Sequence, residues 1–357
     1  MIDGSVTKMQ GNQEETKLMK AIIHTKYGPP EVLELQDAEK PVPADDRVVV
    51  RVHASSLNPA DTHLVDGKLF FRLMGRSGIR RPKDPKFGTD LAGEVYAIGK
   101  NVTQFKPGDE VYGVGRGACA EYADAREDRL AIKPSNSTFE EAAAVPIAGF
   151  TALQALRDHG HVQPGQKVLV NGASGGVGTF LVQIAKSYDA EVTGVCSTKH
   201  LDLVRSIGAD HVIDYTREDF TRNGERYDLI CDAVGNRSVS DYKRILKPGG
   251  TCVMIGFSGI SRFIRNMVGG KMRSKIGKEE YGFFVAKSNQ KDLIILKELI
   301  EARKIRPVID RRYPLGETAN AVSYVEGPNH KPGHAGGKVV ITVGSDLKDN
   351  PVRRRLQ

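Results

Sequence analysis

The chain has 357 residues, 39% hydrophobic and 27% charged, with a formal net charge of +8. That length exceeds one ordinary domain and suits two, each able to bury a core. No apolar run approaches the ~20 residues of a membrane helix, and the first residues lack the apolar segment of a secretory signal. The basic clusters at 72–86, 262–278 and 353–355 lack aromatic interleaving and any nucleic-acid motif, which argues against nucleic acid as a partner.

Residues 1–18 are polar and without periodicity and read as a disordered arm. Residues 20–35 and 47–55 read as strands, the second with Val48, Val50 and Val52 on one face and Val49, Arg51 and His53 on the other. Short strands split by glycine follow at 95–98, 110–114 and 121–125, so the first part is β-rich. Helices are predicted at 139–145 and 149–156. Beyond them strands and helices alternate, as in a doubly wound parallel sheet. Strands are predicted at 167–171, 191–196, 211–214, 227–232 and 251–256. The intervening helices are 179–186, 201–207 and 239–246, the last stopped by Pro248-Gly249-Gly250. A helix at 290–303 carries the stripe Leu293, Leu296, Leu299 and Ile300, and a strand at 339–343 looks like a return to the first part. The four cysteines, Cys119, Cys196, Cys231 and Cys252, form no C-x-x-C pair. Free thiols in a reducing compartment, the cytoplasm in the simplest case, are the expectation.

The stretch Gly165–Lys186, GQKVLVNGASGGVGTFLVQIAK, is strand, glycine turn, helix. This is the setting a dinucleotide fingerprint requires. Ala173 takes the first place of G-x-G-x-x-G, and Gly175 and Gly178 the others. A bare backbone at Gly175 admits a pyrophosphate, Gly178 lets the helix approach the strand, and the helix start offers N–H groups to phosphate. NAD-preferring sites place an acid about 20 residues past the turn, against the ribose 2′-OH. Here Ser197-Thr198-Lys199 stand there, with no acid among them. Two hydroxyls and an ammonium suit a 2′-phosphate, hence NADPH; the plain alternative for Lys199 is a solvated loop lysine. The expected cofactor contacts are Ala173, Ser174, Gly175, Gly176, Val177, Ser197, Lys199, Tyr215, Val234, Gly256 and Phe257. The basic surface would attract such an anion, and a weak contact with an anionic membrane surface is its other use.

On these residues the chain resembles the quinone oxidoreductase and zeta-crystallin branch of the medium-chain dehydrogenase/reductase superfamily. Supporting pieces are Asn58-Pro59-Ala60-Asp61, Gly88–Val95, Gly108–Tyr112 and Gly337-Lys338-Val339-Val340. The resemblance implies an α/β fold: a doubly wound Rossmann sheet for NADPH, residues 149–284, inserted into a β-rich chaperonin-10-like catalytic domain, residues 19–148 and 285–357. It implies a cleft between them as the active site, and a homodimer is the expected assembly.

Zinc-dependent relatives hold the metal with a Cys, a His and a second Cys. The matching positions here are Asn58 and Thr89, and no cysteine lies between Cys119 and Cys196. Asn and Thr are poor zinc ligands, so no metal is expected, and oxidation of a simple alcohol would lack its activator. Hydride transfer to a quinone or a similar conjugated carbonyl is the expected reaction. An enone or alkenal reductase is the first alternative, and an NADPH-binding structural or regulatory protein without turnover is one of another class. A reduced quinone leaves as a phenolate that water protonates, whereas an enolate needs a proton on carbon. Residues 63–71 lack the tyrosine found in many family members, which weakly favours quinones. His63 is either an acid or a solvated surface residue. Asn58 either donates to a carbonyl or ribose oxygen or caps the Asn-Pro bend. Thr151 resembles the family threonine near the nicotinamide and is otherwise a helix N-cap. The insertion 70–86 is read as a lid of unassigned role.

Overall fold

A computed structural model describes residues 17–67, 78, 80–256, 265–266, 279–327 and 335–344. Residues 70–77 and 79 of the predicted lid, and with them part of the first basic cluster, lie outside the described residues, as do most of the second cluster, the third cluster and Phe257. So does residue 1–16 of the expected arm; Leu18 already stands in the first strand.

Strands β1 (Leu18–Ile23) and β2 (Glu34–Glu39) form an antiparallel pair. The continuous strand expected over 20–35 is therefore broken. Pro29 and Pro30 fix φ and remove donors, and Pro30–Val32 makes a 3₁₀ turn that reverses the chain. Strands β3 (Arg47–Leu57), β4 (Asp90–Ile98), β5 (Glu110–Arg116) and β6 (Tyr122–Ile132) follow, with helix α1 (Pro59–Asp66) after β3. They pair antiparallel in sequence order, and β6 returns to β3, so the four close on themselves. Val48, Val50, Val52, Val111 and Leu130 fill the inside. Val49, expected on the polar face, is fully buried as well. Helix α2 (Phe139–Ala143) packs over that face, and Phe139 stacks on His53 with ring centroids 4.4 Å apart. The glycines do not split the strands. Gly93 and Gly113 lie inside them because a Cβ at either would come within 2.0–2.1 Å of a neighbouring strand's carbonyl oxygen.

Helix α3 (Pro146–Gln154) spans the expected 148/149 boundary, so the two parts are joined by a continuous helix. The second sheet is wholly parallel. It contains β7 (Lys167–Asn171), β8 (Glu191–Cys196), β9 (His211–Asp214), β10 (Tyr227–Asp232), β11 (Leu246–Met254) and β12 (Glu280–Phe283), in the order β12-β11-β10-β7-β8-β9. Helices α4 (Gly176–Ser187), α5 (Leu201–Ser206) and α6 (Val239–Ile245) connect its strands. Pro248-Gly249-Gly250 does not separate α6 from a later strand; the three residues lie within β11, at a break in its register with β10. Helix α7 (Gln290–Glu301) buries Leu293, Leu296 and Ile300, with Leu299 half-buried. Its Leu293 carbonyl accepts from the buried Tyr112 hydroxyl of β5 at 2.5 Å. Strand β13 (Ile309–Pro314), helix α8 (Thr318–Glu326) and strand β14 (Lys338–Thr342) close the chain, with β13 and β14 rejoining the first sheet beside β3.

One close approach sets the geometry of the glycine turn. Gly178 in α4 is so near β7's exit that an added Cβ would lie 2.0 Å from the Gly172 carbonyl oxygen. Overpacking of this kind costs about 1–3 kcal/mol. Gly178→Ala is expected to lower stability by that amount in urea unfolding; unchanged stability would show that helix and strand have room to spare.

Candidate active site

The glycine turn starts one residue earlier than the motif suggests. Gly172 has φ +84°, the left-handed region, and its carbonyl accepts from the Gly175 N–H at 3.0 Å. Ala173 is fully buried in the core and packs toward Gly194, so only its backbone can face a ligand. Ser174, Gly175, Gly176 and Val177 are partly exposed. No side chain caps the start of α4, and its first turn holds no acidic residue. Its N–H groups are thus free of a competing side-chain acceptor, as an incoming phosphate requires.

The neighbouring strand ends converge on the turn. An added Cβ at Gly172 would meet Val234 at 2.6 Å, and one at Gly256 would meet the Ala233 carbonyl oxygen at 2.1 Å. Asp232, fully buried at the end of β10, holds this loop: its Oδ1 accepts from the Val234 and Gly235 N–H groups and from Asn171 Nδ2, at 3.1, 2.9 and 2.8 Å. Ser197, Thr198 and Lys199 follow β8 on a 3₁₀ turn, with Thr198 and Lys199 exposed. Tyr215, 45% exposed, follows β9, and its N–H bonds the Cys196 carbonyl. The structure thus gathers Gly175–Val177, Val234 and Gly256 at one place and Ser197, Lys199 and Tyr215 at the adjoining strand ends.

Between the two sheets lies a buried polar knot that sequence reasoning missed. Lys338, at the start of β14, donates from Nζ to Asn58 Oδ1 at 2.6 Å and to the Leu57 carbonyl at 2.9 Å, and lies 3.4 Å from Asp90 Oδ2. That same Asp90 oxygen accepts from Ser56 Oγ at 3.0 Å and Asn58 Nδ2 at 2.9 Å. Asp90 Oδ1 accepts from the Ile147 N–H of α3 at 3.2 Å. Burial pushes the Asp90 carboxyl up and the Lys338 ammonium down, and their mutual attraction opposes both shifts. A Cβ on Gly176 would lie 2.9 Å from the Lys338 side chain, so the lysine also packs on the glycine turn. Its signal in the sequence was a lysine opening the apolar run Lys338–Val343, where a buried charge demands a partner.

The expected catalytic residues sit on this knot. Asn58 is the N-cap residue of α1, yet its side chain does not cap; its amide is committed to Asp90 and Lys338. Asp61 instead reaches back to the Asn58 N–H at 2.8 Å. Thr89 donates to Asp61 Oδ1 at 2.6 Å, and burial, against these donors, pushes the Asp61 carboxyl up to about 6. Thr151 is not a helix N-cap. It lies in the second turn of α3, where its hydroxyl donates to the Ile147 carbonyl at 2.7 Å, on the residue whose N–H binds Asp90. His63 lies on α1 and is half-buried rather than a solvated surface residue. All four cysteines are buried and free, Cys119 with its Sγ 3.5 Å from Ser55 Oγ behind the knot.

Removing one partner of a buried ion pair costs about 3–5 kcal/mol, because a charge is left alone. Lys338→Met is expected to lose that much stability in denaturant unfolding, and Lys338→Met with Asp90→Asn to recover a large part of it. A single variant as stable as the parent would contradict the pairing.

Residues 44–156 match the alcohol dehydrogenase GroES-like domain family, and residues 207–341 the zinc-binding dehydrogenase family. The mitochondrial NAD(P)H oxidoreductase RTN4IP1 of Homo sapiens is 33% identical over 384 residues, covering 95% of this chain and 93% of that protein. The 2-methylene-furan-3-one reductase of Solanum lycopersicum is 34% identical over 339 residues, covering 90% of this chain and 79% of that protein. The quinone oxidoreductase from Coxiella burnetii, a solved structure, is similar with a TM-score of 0.78 and 30% identity, over 92% of this chain and 100% of that one. Sharing nearly its whole length with these proteins, and carrying the inserted parallel sheet with its glycine turn against Lys338, the chain belongs to the medium-chain dehydrogenase/reductase family, in its quinone oxidoreductase branch, and is a nicotinamide-dependent oxidoreductase.

Proposed function

We propose that the chain is a zinc-independent, NADPH-dependent reductase that passes hydride to quinones or similar conjugated carbonyls. The observation that carries this reading is the knot: Asn58 and Thr89, at the positions where zinc-dependent relatives place ligands, are tied to Asp90, Lys338 and Asp61. When bound, NADPH supplies the hydride, and the protein supplies binding, orientation and exclusion of water. In this reading the backbone of Gly175–Val177 receives the pyrophosphate, and Ser197, Lys199 and Tyr215 the 2′-phosphate. Val234 and Gly256 line the nicotinamide side, with Phe257 beyond the described residues. Asn58 has given one amide N–H to Asp90; the second is left for a carbonyl or ribose oxygen. Thr151 positions the ring from α3. Water protonates the phenolate that a reduced quinone leaves.

A second reading, an enone or alkenal reductase, draws support from the furanone reductase relative. It also draws on the Asp61–Thr89 pair, in which a partly exposed hydroxyl backed by a carboxyl near 6 suits proton delivery to carbon. A homodimer and a weak contact with anionic membrane surfaces belong to the proposal too; light scattering and liposome sedimentation address them. Four free, buried cysteines suit a reducing compartment, and the cytoplasm is the simplest one. Among the described residues no helix is long and apolar enough to cross a membrane.

An acceptor screen that follows NADPH absorbance tests the activity. Quinones are expected to turn over faster than alkenals. The reverse order favours the second reading, and tight NADPH binding without turnover on any acceptor favours a non-catalytic role. Loss of a charge-assisted hydrogen bond costs about 1.5–3 kcal/mol. Lys199→Ala is therefore expected to weaken NADPH about ten- to hundredfold and leave NADH almost unchanged; equal losses for both would refute the assignment.

A further inference from the structure

The end of β8 lacks an acid in sequence, but the fold supplies one beside it. Strands β8 and β9 are parallel neighbours in the register Cys196↔Asp214. Asp214, 7% exposed, therefore ends β9 next to the point where Ser197-Thr198-Lys199 leaves β8. Its Oδ2 accepts from the Thr198 hydroxyl at 2.5 Å, and Arg217 Nε lies 3.5 Å from the same oxygen. Its Oδ1 accepts from the Thr216 hydroxyl at 2.7 Å and the Thr216 N–H at 3.0 Å. The two threonine hydroxyls lie 3.0 Å apart, closing the ring over the carboxylate. An ionised carboxylate has about four acceptor positions; three hydrogen bonds and the Arg217 ion pair surround them here.

A carboxylate at the end of the second strand is what selects a free ribose 2′-OH and repels a 2′-phosphate. Asp214 reaches that place from the third strand, one side chain away, with its charge covered. We infer that Asp214 is a masked selectivity carboxylate: Thr198, Thr216 and Arg217 cover it, and the preference for NADPH over NADH depends on that cover. The inference rests on the NADPH reading above. Hydrogen bonds from Thr198 first, and from Thr216, hold the Asp214 carboxyl below the usual carboxylate range, so it stays charged at neutral pH. Baring Oδ2 would place a free acceptor beside the ribose, where NADH gains a partner for its 2′-OH and NADPH meets repulsion.

The chain contains no tryptophan, so binding of NADPH and NADH is read by calorimetry or by nicotinamide fluorescence. Thr198→Val is expected to lower the NADPH-to-NADH affinity ratio about tenfold, the worth of one such hydrogen bond. Thr216→Val, which takes the hydroxyl from Oδ1 and leaves the backbone N–H there, is expected to move the ratio the same way by a smaller amount. The decisive protein is Thr198→Val with Asp214→Asn. With no charge left to uncover, its ratio is expected to return close to the parent value. A double variant as poor as Thr198→Val would mean that Thr198 only positions Ser197 and Lys199, and would overturn the inference, as would an unmoved ratio in both threonine variants. A parent protein that prefers NADH would instead sink the NADPH reading itself.

Discussion

The buried pair Asp90 and Lys338, both on the first sheet, is the point against which the second half of the protein rests, through Ile147 and Gly176. A carboxylate and an ammonium, both buried, stand 3.4 Å apart across the end of β3, which separates β4 from β14. Each charge is costly to bury, and each is tolerable only because the other is present with neutral donors and acceptors around it. Those neutral groups are the end of β3 at Ser56–Asn58 and the first turn of α3 at Ile147. Lys338 then packs against Gly176, the first residue of the helix that follows the glycine turn. One charge pair thus touches the strand that carries Asn58, the helix that carries Thr151, and the glycine turn proposed to receive the pyrophosphate.

The chemistry follows from what that knot occupies. In metal-dependent relatives a cation at this place polarises the substrate oxygen. On the proposed zinc-independent reading no metal does this, the nearby ammonium of Lys338 being committed to Asn58 and Asp90, and the acceptor is one that is electrophilic without metal help. The other end of the ligand path obeys the same logic of covered charge. Asp232 is covered by backbone N–H groups at the Val234 loop, and Asp214 by threonine hydroxyls and Arg217 at the Ser197–Lys199 loop. The cover is complete at Asp214, whose two oxygens both have partners, and partial at Asp232, whose Oδ2 is buried without a hydrogen-bond partner.

What the sequence made legible was local. Strand, turn and helix over Gly165–Lys186 could be read because hydrophobic period, glycines and capping agree there. The inserted order of the sheets was legible through Val339–Val343, whose period matched a strand after a long helical stretch. What was not legible depended on residues far apart in the chain meeting in space. Asn58, Asp90 and Lys338 are separated by 32 and 248 positions in their hydrogen bonds, so no spacing rule connects them. From sequence Asn58 reads equally as a donor to ligand or as a cap of the Asn-Pro bend, because the partners of its amide lie far away in the chain. The N-cap alternative for Thr151 fails because the helix begins earlier, with Pro146 as its first residue. Asp214 was passed over because the search for an acid followed β8 alone, while the acid arrives from its neighbour β9. Val49 was misassigned because alternation describes a strand with one wet face, and β3 is covered on both.

On the proposed function, hydride transfer proceeds beside a knot of the chain's own charges, with no bound metal. The most direct measurement is a single-turnover mixing experiment with the full chain dialysed against a strong chelator and its metal content determined. NADPH oxidation by a quinone is then followed in stopped flow. The account predicts less than stoichiometric zinc before dialysis and an unchanged rate afterwards. Stoichiometric zinc whose removal abolishes the rate, and whose return restores it, would contradict it.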